Sequence, residues 1–181
     1  MKHIESFPGR IRETLCFRQL EELQRLTDAF QIIDLPRNSK EATTSVLRSQ
    51  LDESLSSSGW ESGYLIDNQI SIEYPTANYT LDLSLDSSAE ICGHKHRYVL
   101  EFCFDNRQAI GTNLLKYEVA CANTITQGWE PLPFLVCATS QVIKQFGWDG
   151  GVASYQEYDH AIRIPYKGIL KNPPVLIALS L

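Results

Sequence analysis

The stretch YVLEFCFDN, residues 98–106, alternates polar side chains with bulky apolar ones. Glu101, Cys103 and Asp105 occupy every second position, and alternate residues of a β-strand share one face of the sheet. A carboxylate in so apolar a strand needs a partner, because burying an unpaired charge is costly. The row therefore indicates a functional site, with an edge-strand charge or a structural ion pair at Glu101 as the alternative.

A further carboxylate lies in the preceding segment YTLDLSLD, residues 79–86, where leucines alternate with Asp and Ser. This period of two predicts a strand. We expect residues 79–106 to form an antiparallel hairpin that turns near Cys92 and Gly93, which would bring Asp82 beside Glu101. Asp86 is a rival to Asp82, and a solvated strand face is the structural explanation for either residue.

The pairing of Asp82 with Glu101 has a chemical consequence. Two carboxylates at one place repel each other, and they stay ionised if a divalent cation lies between them. Oxygen ligands of this kind suit Mg²⁺, which also takes up substrate phosphates. A bound metal ion polarises a phosphoryl oxygen and lowers the pKa of an attacking water. The two residues therefore predict a Mg²⁺ site for the hydrolysis of a phosphodiester.

The rest of the chain predicts the elements that would position this site. Apolar residues at helical spacing and capping signals predict helices over 10–30, from Asn38 to Gly59, over 112–123 and after the capping box at 154–157. Apolar runs predict strands over 134–140 and within RIPYKGIL and PVLIALSL. This mixture of helices and strands indicates an α/β domain.

The length and composition predict a single domain over residues 1–181. The predicted elements divide it into a helical part at 1–60 and a sheet core at 63–181. A chain of 181 residues is long enough to bury a real core. We expect a cytoplasmic protein without a membrane span, because no apolar run reaches ~18 residues and the start, MKHIESFPGRIRE, lacks the apolar stretch of a signal peptide.

Charge and cysteine content narrow the class of protein further. The five cysteines include no CxxC pair, so the close ligand pairs typical of zinc sites are missing. The net charge of −6 argues mildly against a nucleic-acid ligand. It does not exclude one, because a local basic rim can coexist with an acidic total.

The ordered series of motifs resembles the BglII/BstYI-type restriction endonucleases of the PD-(D/E)XK nuclease superfamily. The resemblance rests on LDL at 81–83, LEFC at 100–103 and FDN at 104–106, followed by the helix NLLKYEVACAN and the strand FLVCATS. It implies a restriction-endonuclease-like core, in which a mixed central sheet with a catalytic hairpin is flanked by helices. It also implies a type II endonuclease that cuts double-stranded DNA at a specific short site with Mg²⁺.

The resemblance assigns roles to individual residues. It implies Asp82, Glu101 and Cys103 as catalytic residues, and it implies Asp82, Glu101 and the backbone carbonyl of Phe102 as metal ligands. It further implies a homodimer, since two copies of one subunit match a two-fold symmetric duplex site. The helices within residues 10–57 would then form the dimer surface, or they belong to the core.

Cys103 departs from this pattern, because the superfamily has Lys at its position and the closer family has Gln. A thiol supplies no positive charge, and soft sulfur is a poor Mg²⁺ ligand. Either a neighbouring residue substitutes, or activity is lowered or absent. The alternatives are therefore a DNA- or partner-binding module on the same fold and an unrelated α/β protein.

Overall fold

The computed structural model describes residues 2–10, 12–35, 41–65, 69–74, 79–84, 90–126 and 131–181, with the backbone alone described at 64–65, 69–74, 79–84, 90 and 123–126. The strands are β1 (Lys2–Ser6), β2 (Glu61–Leu65), β3 (Gln69–Tyr74), β4 (Tyr79–Ser84), β5 (Glu90–Lys95), β6 (Tyr98–Cys103), β7 (Leu132–Ala138) and β8 (Val175–Ser180). The helices are α1 (Phe17–Gln31), α2 (Thr44–Ser57), α3 (Ile110–Thr126), α4 (Ser140–Gln145) and α5 (Tyr155–Arg163).

Six of these strands form one mixed sheet in the order β1-β8-β7-β6-β5-β2. Strands β6, β7 and β8 are parallel, whereas β1, β5 and β2 join the sheet in antiparallel pairs. This arrangement confirms the predicted α/β fold with a mixed central sheet and a hairpin flanked by helices.

Each face of the sheet buries its own apolar core. The period of two in β6 directs Leu100 and Phe102 to the face covered by α1 and α2, whose leucines are buried against them. It directs Val99 and Cys103 to the face that packs against α3 and α5. The apolar faces of α1 and α2 are thus core within this chain, which is one of the two expectations for residues 10–57.

The hairpin before Glu101 differs from the predicted one. Strand β5 pairs with β6 through a tight turn at residues 96–97, with Gly93 opposite Leu100 and Lys95 opposite Tyr98. Strand β4 instead pairs with β3 in a separate two-stranded sheet, where Asp82 faces Ser71. The prediction that residues 79–86 form the first arm of this hairpin was wrong, because β5 follows as a further strand and takes that place.

Other local predictions are confirmed with shifted bounds. Helix α2 ends at Ser57, and the predicted stop residue Gly59 follows the C-cap Ser58 with a φ of 78°, in the left-handed region that glycine adopts freely. The capping box at Ser154 and Glu157 opens α5. The segment RIPYKGIL forms turns rather than a strand, and Asn38 lies outside the described residues. None of the helices in the described part of the chain is long and apolar enough to span a membrane.

Candidate active site at the β5–β6 hairpin

A cleft of about 500 Å³ opens beside the carboxyl end of β6. Helices α2 and α3, strands β2, β5 and β6, and the segment after β6 contribute to its walls. The lining residues are Arg48, Asp52, Ser62, Gly63, Ile91, Cys92, Glu101, Asp105 and Lys116. The cleft therefore gathers cationic, anionic and thiol side chains from five parts of the fold.

Glu101 is the most deeply buried charged group in this set, with only 1% of its side chain exposed. The Lys116 ammonium, delivered by α3, lies 2.5 Å from Glu101 Oε1, and the backbone N–H of Cys92 donates to Oε2 at 3.2 Å. Burial raises the pKa of Glu101, and the neighbouring Lys116 charge acts in the opposite direction. The carboxylate is thus held in place by an ion pair and a backbone donor.

Cys92 on β5 lies beside Glu101, because its backbone N–H donates to the Glu101 carboxylate. Its sulfur accepts a hydrogen bond from the Phe102 backbone N–H at 3.3 Å. Burial, followed by the Glu101 charge, raises the pKa of Cys92 to about 12. A neutral thiol therefore lies beside Glu101, where the sequence predicted the carboxylate of Asp82.

Asp82 does not face Glu101 in the hairpin, since its strand pairs with β3. Its side chain lies outside the part of the chain that the structure describes, as do all of residues 85–89 with Asp86. The metal-binding role of Asp82 therefore stays a prediction, whereas the expected strand pairing is corrected.

The carbonyl of Phe102, the third predicted ligand, is directed toward the α2 side of the cleft. It accepts a hydrogen bond from Arg48 Nη2 at 3.3 Å, and the same nitrogen lies 3.9 Å from Asp105 Oδ2. Asp52 lies one turn further along α2 and also lines the cleft, and burial raises its pKa while the Arg48 charge opposes this. Arg48 thus links the end of β6 to helix α2.

Cys103 lies beneath the cleft rather than among its lining residues. It is fully buried, in register with Cys137 on β7, and its thiol is 3.8 Å from the Glu101 carbonyl oxygen. Burial, followed by a hydrogen bond with Cys137, raises the pKa of Cys103 well above its usual range. The thiol is therefore neutral and enclosed, and its predicted catalytic role stays untested.

Asp105 lines the cleft just after the end of β6 and is linked through Asn113 to the buried Tyr158. Asn113 on α3 donates to Asp105 Oδ2 at 3.4 Å and to the hydroxyl oxygen of Tyr158 at 2.8 Å. Glu101 and Cys103 on β6 and Asp105 just after it therefore each meet a different partner. Two of those partners, Asn113 and Lys116, lie about one turn apart on α3.

The Gly-rich loop at residues 146–156 is anchored beside Asp105. Arg107 Nη2 donates to the Gly150 carbonyl at 2.8 Å, and Asn106 forms an isolated bridge with Val152. Its position next to the cleft is compatible with a contact to DNA and with an ordinary surface loop before α5.

The basic segment GHKHR, residues 93–97, lies at the opposite end of β6 from Asp105. Lys95 Nζ is 2.9 Å from the buried Glu22 carboxylate on α1, and His94 lies near Glu61. The turn at its tip holds His96 at a φ of 53°. With these contacts, GHKHR forms a polar hairpin tip.

The described residues do not by themselves complete a magnesium site. Within the described ranges, no group of at least three His, Cys, Asp or Glu side chains is placed to hold a metal ion. The oxygen atoms of Glu101 and Phe102 contact cationic side chains, and the β5 residue that hydrogen-bonds to Glu101 is a cysteine. Sulfur in this position does not suit a hard cation such as Mg²⁺.

Lys116 and Arg48 are cleft residues whose contacts with Glu101 and Phe102 the sequence did not predict. The spacing of Asn113 and Lys116 on one helix face, opposite a strand with alternating polar residues, was a usable signal for Lys116. Arg48 follows the buried Leu47 in α2 without a distinguishing pattern. Only the packing of α2 against β6 places its guanidinium at Phe102.

The fold is similar to that of a restriction endonuclease. The crystal structure of restriction endonuclease BglII complexed with a DNA 16-mer superposes with a TM-score of 0.61 at 12% sequence identity, covering 99% of this chain and 76% of that chain. No protein family matches the sequence, and no curated protein matches it. The similarity therefore concerns the architecture, and the chemistry has to be argued from the cleft.

Proposed function

We propose that this chain is a type II restriction endonuclease that hydrolyses phosphodiester bonds of double-stranded DNA at a specific short site. The observation that carries the proposal is Glu101, a buried carboxylate held at the floor of a polar cleft on the hairpin of a BglII-like fold. A buried charge in a cleft is costly to maintain, which favours a functional role for it.

The proposal assigns Mg²⁺ as the cofactor, with Glu101 and the Phe102 carbonyl as ligands and with Asp82 or Asp86 as the further carboxylate. Lys116 would supply the positive charge that Cys103 lacks, since its ammonium lies in the cleft at Glu101. A fixed cation at this place stabilises negative charge that develops during phosphodiester hydrolysis.

The second candidate function is a DNA-binding module on the same fold that does not cut. The neutral thiol of Cys92 beside Glu101 favours it, because among the described lining residues the hairpin contributes a single carboxylate, Glu101. Both candidates require that the cleft side of the molecule binds duplex DNA, and they differ in metal-dependent cleavage.

The test is cleavage of bacteriophage DNA at low salt with Mg²⁺, with Mn²⁺ and with EDTA, because an acidic protein holds DNA weakly at high salt. We expect discrete fragments with metal and none with EDTA, and a loss of at least about 100-fold in rate for Glu101→Gln. Glu53→Gln, at an exposed position of α2, serves as the matched control with unchanged cleavage.

The outcomes separate the candidates. Binding in a gel shift without cutting would favour the binding module, and cutting that survives Glu101→Gln would remove Glu101 from the active site. A parallel Asp82→Asn variant tests the remaining ligand, and full cleavage by that variant would leave Asp86 as the alternative carboxylate.

A further inference from the structure

The oxygen atoms on which the Mg²⁺ proposal depends already have cationic partners within the chain. Lys116 Nζ is 2.5 Å from Glu101 Oε1, and Arg48 Nη2 is 3.3 Å from the Phe102 carbonyl oxygen. The two cations reach these oxygen atoms from α3 and α2 respectively, and both line the cleft. A divalent ion that binds the same oxygen atoms therefore has to displace two positive charges.

The charges that line the cleft make this competition strong. Besides Arg48 and Lys116, the lining contains the carboxyl groups of Asp52, Glu101 and Asp105, and the thiol of Cys92. The two internal cations neutralise most of the negative charge that would attract a metal ion. The field of a nearby like charge opposes a divalent ion twice as strongly as a monovalent one.

We propose that Arg48 and Lys116 act as built-in counter-cations that hold down the affinity of this cleft for a divalent metal ion. The inference rests on the proposed function only in taking Glu101 and the Phe102 carbonyl as the metal's ligands. It adds that Arg48 and Lys116 regulate metal binding at that site. The metal ion binds when these side chains move away from the two oxygen atoms. Removing either cation should therefore tighten metal binding rather than weaken it.

The measurement is a titration of the DNA-free protein with Mn²⁺, followed by electron paramagnetic resonance of the free ion. Mn²⁺ takes the same oxygen ligands as Mg²⁺. The decisive variant is Arg48→Met, because the Arg48 side chain is 42% exposed and its loss spares the core. The matched control is Arg163→Met, which removes an arginine paired with Asp159 on α5, outside the cleft.

We expect Arg48→Met to bind Mn²⁺ at least about tenfold more tightly than Arg163→Met, which carries the same net charge. Lys116→Met should show the same gain, and the double change Lys116→Met with Glu101→Gln should lose it. If circular dichroism shows that Lys116→Met is unfolded, the Mn²⁺ affinity of Arg48→Met alone tests the proposal. Mn²⁺ binding by Arg48→Met that is absent, or no tighter than that of Arg163→Met, overturns the proposal.

The titration is independent of catalysis. Tighter Mn²⁺ binding by Arg48→Met in a protein that never cuts DNA would support the counter-cations while the endonuclease proposal fails. Metal-dependent cutting by a protein whose Arg48→Met variant gains no affinity would do the reverse.

Discussion

At the residue scale, the ion pair with Lys116 compensates the negative charge of the buried Glu101 carboxylate in the cleft. Their side chains are 1% and 19% exposed, so water screens the pair weakly. Desolvation works against both charges, and breaking such a pair from one side leaves the other charge without compensation. The pair therefore couples the stability of the fold to the charge state of the cleft.

Lys116→Met tests this coupling. The pKa of Glu101 is raised by burial, so between its unfolded and folded pKa values the native state binds more protons than the unfolded state, and stability falls as the pH rises. Losing Lys116 raises this pKa further. We expect the variant to lose about 3–5 kcal/mol in the free energy of unfolding at about pH 8 and clearly less at about pH 5.

Urea unfolding at the two pH values measures the effect. Lys144→Met, at an exposed position of α4, controls for the loss of a lysine and should cost under about 0.5 kcal/mol. Adding Glu101→Gln to Lys116→Met should restore most of the stability. An equal loss at both pH values would mean that the loss in free energy of unfolding comes from the packing of Lys116 and not from the charge of Glu101.

At the element scale, the hairpin β5–β6 is positioned by close packing against α2. A Cβ added at Gly93 would lie 3.1 Å from Trp60 Cε3 and 3.2 Å from Leu55 Cδ1, and Trp60 also packs on Tyr98 and Phe134. The absence of a side chain at Gly93 lets these residues lie directly on β5.

Gly93→Ala should therefore destabilise the protein by about 1–3 kcal/mol, because a methyl group has to displace well-packed side chains. Gly150→Ala is the matched control, since nothing lies within 4 Å of a Cβ at Gly150. We expect the control to change stability by less than about 0.5 kcal/mol in the same urea titration. Equal stabilities of the two variants would show that Trp60 and Leu55 give way easily.

At the scale of the whole molecule, the acidic total and the DNA proposal have to be reconciled. The net charge is −6, so long-range attraction to DNA is weak and contacts with phosphates depend on local cations. The cationic side chains at the cleft and beside it, Arg48, Lys116 and Arg107, are partly engaged with carboxylates. DNA binding should accordingly require low ionic strength.

We propose a homodimer as the functional assembly, because two copies would match a two-fold symmetric cleavage site. The apolar faces of α1 and α2 are buried in the core of the chain, so the dimer surface would use other parts of these helices or other elements. Sedimentation should give twice the 20.5 kDa mass of one chain, and two chains per symmetric duplex. A single chain on DNA, and a monomer at all micromolar concentrations, would contradict it.

What the sequence by itself determined is the local part of the fold. The period of two that puts Glu101 and Cys103 on one face of β6, the end of α2 shortly before Gly59 and the capping box of α5 depend on neighbouring residues, so they could be predicted. Tertiary structure alone decided the partners of these residues. Strand pairing and helix packing join distant residues. The replacement of β4 by β5 beside β6 and the arrival of Arg48 at Phe102 therefore had no local signal, and the spacing of Asn113 and Lys116 on α3 did not identify Glu101 as the partner of Lys116.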